Sequence, residues 1–106
     1  FNHTFLLEGP MHGERPTPPP LDLRFGKVPL MSRWLDSGHF DYLLWIDADA
    51  VLVDFTQDAV KHLLQSHPQA HMIVCREPRD AQGFEVMNSG TILMKNSEWS
   101  RHFLRL

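Results

Sequence analysis

Apolar residues follow two different textures along the chain. Over residues 1–26 they are interrupted by Pro10, Gly13, Pro16 and the run Pro18-Pro19-Pro20, which forbid a long helix or a central strand there. From Lys27 the pattern becomes regular. Val28, Met31, Trp34 and Leu35 recur at helical spacing, Pro29 suits a first turn and Gly38 suits a stop, so the spacing predicts a helix over 28–37. Residues 42–46 form a short apolar run, as a buried strand would. Val60, Leu63 and Leu64 share one face of a second helix near 57–65, with Pro68 beyond it. Residues 71–75 read as a second buried strand, 76–85 as a polar loop and 91–94 as a third strand. Ser97 is a good N-cap for a last helix carrying Trp99, Phe103 and Leu104. No internal repeat interrupts this order, which is an α/β pattern whose first strand ends in acids.

Composition narrows the picture. The 106 residues suffice for one small domain, and 42% hydrophobic with 22% charged residues is globular rather than disordered. The chain starts at Phe1 and ends on Phe103-Leu104-Arg105-Leu106 without a helix stop, so it is expected to be a piece of a longer protein. A net charge of -3 with no run of Lys or Arg gives no reason to expect a nucleic-acid or membrane-surface partner. A single cysteine, Cys75, excludes an internal disulfide and a Cys-rich zinc site. Its place in Met72-Ile73-Val74-Cys75 predicts a buried thiol. Trp34, Trp45 and Trp99 each fall on an apolar face and are expected in the core. The seven histidines make no metal-ligand spacing with one another. Asn2-His3-Thr4 fits a glycosylation acceptor, and no phosphate-binding glycine loop or nucleophile elbow occurs.

The candidate chemistry begins at Trp45-Ile46-Asp47-Ala48-Asp49-Ala50. An apolar strand drives into the core, and two carboxylates stand where it emerges, the edge at which α/β sheets bind ligands. Asp-x-Asp supplies two hard oxygen ligands suited to Mn²⁺ or Mg²⁺ bridging a diphosphate. Ala48 between them leaves room for a bulky ligand. Further on, Met87-Asn88-Ser89-Gly90-Thr91 reads as a turn before a strand. Asn88 offers both donor and acceptor to sugar hydroxyls, and Gly90 lets backbone approach a ligand closely.

Together these segments resemble GT-A-fold glycosyltransferases. The nearest pattern is the family of fungal galactosyl- and mannosyltransferases and plant xyloglucan xylosyltransferases. In that family a Lys-bearing helix precedes the acidic motif, and an Asn-x-Gly strand and an Asn-x-x-Trp-Ser helix follow it. Here those are Lys27 to Trp34, Asn88 to Gly90, and Asn96-Ser97-Glu98-Trp99-Ser100, and the order agrees over roughly residues 24–106. The resemblance implies one partial catalytic domain over 1–106, with an irregular lead-in over 1–26 and the acidic-motif core over 27–106. It implies an incomplete GT-A three-layer α/β sandwich. It also implies a metal-dependent transferase that moves a hexosyl or pentosyl group from a UDP- or GDP-sugar to a glycan or polysaccharide acceptor. Asp49 would coordinate Mn²⁺ (or Mg²⁺), and Asp47 would bind the metal or the ribose and sugar hydroxyls. Lys27 would face the diphosphate or be solvated, and Asn88 would touch the donor sugar or the acceptor. Asp80 and Gln82, in the loop before it, would line the same pocket. The family works on the lumenal side of the Golgi membrane, held by an anchor expected only in the full-length parent. Its base-binding first strand and its downstream metal-binding histidine have no counterpart in these residues.

Two other classes fit parts of the pattern. Asp47-x-Asp49 behind an apolar strand also looks like the first motif of haloacid-dehalogenase-type phosphatases, with Asp47 as nucleophile, Asp49 as general acid/base and Mg²⁺ as cofactor. That family usually has Gly after the second acid, where Ala50 stands here, and gives Asn88-Ser89-Gly90 no role. The second class is a non-catalytic module that keeps the fold to bind sugar nucleotides.

Overall fold

The computed structural model describes residue 4, residues 23–51, residues 53–54 and residues 56–106. Most of the irregular lead-in and of the glycosylation triplet therefore lies outside the described residues. A 3₁₀ turn, Leu23–Gly26, leads into α1, Lys27–Asp36. Pro29 falls in the first turn of α1, where its missing N–H costs nothing. Gly38, at φ 70°, ends the helix in the left-handed conformation, with its N–H bonded to Leu35 O at 3.2 Å. The other elements are β1 (Tyr42–Ile46), α2 (Ala59–Ser66), β2 (Met72–Glu77), β3 (Val86–Lys95) and α3 (Glu98–Phe103). Asp58 caps α2 by accepting from Lys61 N, and Ser97 caps α3 by accepting from Ser100 N.

The strands form one mixed-composition α/β unit around a three-stranded sheet of order β1-β3-β2. Both pairings are antiparallel, so β1 and β2 run the same way on either side of β3. Their carboxyl ends, one bearing Asp47 and the other ending at Glu77, therefore lie at the same edge. β1 pairs regularly with β3, from Tyr42 with Lys95 to Ile46 with Thr91. On the other side the register jumps: Val74 pairs with Ile92, but Cys75 pairs with Asn88. Ser89, Gly90 and Thr91 are left with no ladder partner on β2. The expected turn at Asn88-Ser89-Gly90 is thus an irregularity inside β3, held at one end by the pairing of Asn88 with Cys75 and at the other by Gly90 O, which accepts from Asp47 N.

The main core cluster lies on one face of the sheet, and Leu93, 4% exposed, is buried on the other. Met31 and Leu35 of α1 meet Met94 of β3, all 1% exposed, and Leu43, Trp45, Met72, Ile92 and Leu104 pack around them. Burying each of the three central side chains stabilises the fold by about 2 kcal/mol. Asn96, just after β3, donates its Nδ2 to Leu35 O and Phe40 O and receives Arg101 Nη1 on its Oδ1. This one side chain ties the end of α1, the lead into β1 and α3 together.

Three burial expectations are corrected. β1 is not buried on both faces: Leu43 and Trp45 face the core, while Leu44 and Ile46 on the alternate face are 39% and 37% exposed. Trp99 is 45% exposed, stacked between His71 and Phe103 at the surface rather than inserted in the core. Cys75 is exposed, because the register jump falls just before it and leaves its side chain at the edge where the sheet opens. The helix expected over 57–65 forms as α2 but buries no residue fully.

Candidate functional site

At the end of β1 the backbone stays in the ladder for one more step, with Asp47 N bonded to Gly90 O at 2.8 Å. It then turns, Ala50 N reaching Asp47 O at 3.0 Å. The turn carries Asp49 into the open, where it is exposed. Asp47 is held far more closely. Its Oδ1 accepts from Trp45 Nε1 at 2.5 Å and from Lys27 Nζ at 2.9 Å, and Lys27 is 3.2 Å from Oδ2. Lys27 also donates to the backbone carbonyl of Ser89 at 2.8 Å, and its ammonium lies 5.6 Å from the Trp45 ring centroid.

Lys27, at the start of α1, is therefore neither simply solvated nor free to reach out. Its side chain is only 11% exposed and joins β1 to β3 through Asp47 and Ser89. The Asp47 side chain is 36% exposed, so solvent screens the pair, and such a bridge contributes about 1 kcal/mol. The Trp45 N–H first, and then Lys27, hold the Asp47 carboxyl below the usual carboxylate range. It is ionised at neutral pH.

Asn88 is the counterpart on β3. Its Oδ1 accepts from Gly90 N at 2.7 Å and its Nδ2 donates to Glu77 Oε1 at 2.8 Å. The side chain thus links the unpaired stretch of β3 to the end of β2, beside the register jump. Gly90 is needed there for space: a Cβ at this position would stand 2.9 Å from Asn88 Oδ1 and 3.4 Å from Asp47 Oδ2.

These groups surround one open cleft of about 550 Å³, lined by Asp47, Asp49, Ala50, Cys75, Glu77 and Met87 to Thr91. That is a volume in the range of small-ligand sites. Asp47, Asp49 and Asn88 thus share one pocket, as expected for a shared site. Asp80 and Gln82 do not line it. Asp80 instead organises the β2–β3 connection: its Oδ1 accepts from Gln82 N and Phe84 N, and Gly83 at φ 84° completes the turn. An acid followed by Gly83 was a turn signal. Glu77 was missed in the sequence, although it ends an apolar strand just as Asp47 does.

The donor set suits a hard divalent cation. Carboxylates of Asp47, Asp49 and Glu77, the amide of Asn88 and the hydroxyls of Ser89 and Thr91 are all oxygen groups around one space. Among the described residues no three of His, Cys, Asp and Glu converge on a single point. Mg²⁺-type sites need no such cage, since one or two carboxylates plus substrate phosphates commonly hold the ion. No family model, curated protein or solved structure matches the chain.

Proposed function

We propose that this chain is the acidic-motif portion of a GT-A-type, metal-dependent glycosyltransferase. It would transfer a hexosyl or pentosyl group from a UDP- or GDP-sugar to a glycan or polysaccharide acceptor. The observation that carries the reading is the convergence of Asp47, Asp49 and Asn88 on one cleft, from segments that lie far apart in the chain. Asp49, exposed on the turn after β1, is placed to meet an ion carried in with a diphosphate. Asn88 presents its amide at the same cleft. Mn²⁺ or Mg²⁺ bound at Asp47 and Asp49 would supply neutralisation of the charge that grows on the departing diphosphate.

The chain's own residues prepare that surface. Lys27 and Trp45 keep Asp47 ionised, and the short Gly90 lets substrate and backbone approach each other. On the same resemblance we assign the parent protein to the lumenal side of the Golgi membrane. Among the described residues no helix is long and apolar enough to cross a membrane, and an anchor would belong to the parent.

Calorimetric titration of the chain with a panel of UDP- and GDP-sugars, with and without Mn²⁺, tests the reading. Metal-dependent binding that disappears in Asp49→Asn is expected. Absence of binding by every donor, or release of phosphate from a generic phosphoester instead, would remove it in favour of a module without donor affinity or of a phosphohydrolase.

A further inference from the structure

The two oxygens of Asp47 are not equivalent. Oδ1 accepts from Trp45 Nε1 at 2.5 Å and from Lys27 Nζ at 2.9 Å. A carboxylate oxygen has two in-plane lone pairs, so Oδ1 has no capacity left. Oδ2 has only the more distant edge of the same ammonium, at 3.2 Å. Its neighbour on the other side is Gly90, where a Cβ would come within 3.4 Å of it, and Gly90 lines the cleft.

We infer that Trp45 is a positioning residue for the acidic pair, which together with Lys27 occupies Oδ1 and leaves Oδ2 as the single oxygen Asp47 offers to a divalent cation. The inference rests on the reading of Asp47 and Asp49 as metal ligands and specifies how one of them is presented.

The placement of Trp45 suits this role. Residues two apart on an extended chain project to the same side, so the indole and the carboxylate are side by side. The ring itself is anchored, packed against the cluster of Met31, Leu35 and Met94. Its N–H is therefore a fixed donor, whereas the Asp47 side chain alone could rotate about its own bonds. Lys27 and Trp45 act differently on the same oxygen. The ammonium compensates charge; the neutral indole fixes direction while leaving the carboxylate its full charge for a cation. Lys27 is in turn held by Ser89 O and by the Trp45 ring, so the three groups form a closed triangle.

The sequence has three tryptophans, which makes the test direct. In the ¹H–¹⁵N spectrum of the chain, the indole signal absent from Trp45→Phe is that of Trp45. Asp47→Asn should shift this signal strongly, and Asp49→Asn should leave it in place. Mn²⁺ affinity, read from free Mn²⁺ by electron paramagnetic resonance in the presence of UDP, should fall roughly 10–100-fold in Trp45→Phe, the usual effect of losing a partner that orients a ligand. Wild-type affinity in Trp45→Phe, with Mn²⁺ binding lost in Asp49→Asn, would overturn the inference and leave the metal reading standing. An indole signal indifferent to Asp47→Asn would overturn it as well, and needs no folded Trp45 variant beyond the one that assigns the peak. Failure of the wild-type chain to bind Mn²⁺ at all would instead remove the metal reading, and this inference with it.

Discussion

Asn88 donates its Nδ2 to Glu77 Oε1 at 2.8 Å, a diagonal pair between β2 and β3 just beyond the point where the two strands lose register. The bond holds two cleft residues in one orientation. Asn88→Asp replaces the donor with a second carboxylate facing Glu77. The variant should lose about 1–2 kcal/mol of stability, from the lost hydrogen bond and the added repulsion. Urea unfolding measures this, and a midpoint equal to wild type would mean that the pair is not formed in solution.

Gly90→Ala tests the crowding of the cleft floor. The new methyl would meet Asn88 Oδ1 at 2.9 Å, an atom that is itself pinned by Gly90 N. Asn88 must rotate away, releasing Glu77. A stability loss of about 1 kcal/mol is expected, with a larger effect on sugar-nucleotide binding than on folding. Unchanged binding in calorimetry would show that the cleft accommodates a side chain at this position.

Acid titration should reveal the Asp47 network. Its carboxyl is held below the ordinary value of 3.8 in the folded chain. The stability it contributes is therefore fully present above that value and is lost as pH falls through the lower folded one. Stability followed downward from about pH 5 should fall more steeply in wild type than in Asp47→Asn. Asp54, lowered by Thr56, titrates in both proteins and forms the shared background. Parallel curves would mean that Lys27 and Trp45 do not hold the carboxylate.

The exposed Cys75 thiol offers a probe of occupancy. Lying on the wall of the cleft, it should react with a thiol reagent in the native chain without denaturant. A UDP-sugar with Mn²⁺ should slow the labelling, whereas either component alone should slow it less. Equal rates in all four conditions would place the ligand elsewhere.

Much of this arrangement was legible in the sequence because it rests on local signals. The helical spacing of Met31 and Leu35, the stop at Gly38 and the cap Ser97 are all short-range, and each fixes its element. The Asp-x-Asp placement followed from one apolar run ending in acids. What escaped depended on long-range register. Nothing near Cys75 announces that β2 slips three residues along β3, yet that slip exposes the thiol, turns Asn88 into a strand residue and brings Glu77 to the cleft. Lys27 was ambiguous for the same reason, since its partners Asp47 and Ser89 are separated from it by 20 and 62 positions. Asp80 is the reverse case, a residue with local partners. The family resemblance implies a pocket role for it, whereas its carboxylate caps the turn through Gln82 N and Phe84 N.

Asp49 carries the final test. It lies beyond the last ladder bond of β1, on a turn, with its side chain exposed, so its carboxylate has no share in core packing. Asp47 differs, since removing it frees Lys27 and Trp45 and disturbs the fold locally. Asp49→Asn keeps shape and removes charge, and its thermal unfolding should match wild type within experimental scatter. On the proposed reading the same change weakens the hold on a divalent cation at the diphosphate, where charge builds during transfer. Losing one such electrostatic contact typically costs ~10²–10³ in rate. In the full-length parent, metal-dependent sugar transfer should therefore fall by at least about 10², while Asp47→Asn should lose both activity and some stability. The measurement is transfer from UDP- and GDP-sugars at fixed Mn²⁺, with the melting temperature as control. Near-normal transfer by Asp49→Asn at unchanged metal concentration would show that the acidic pair is not where the cation acts.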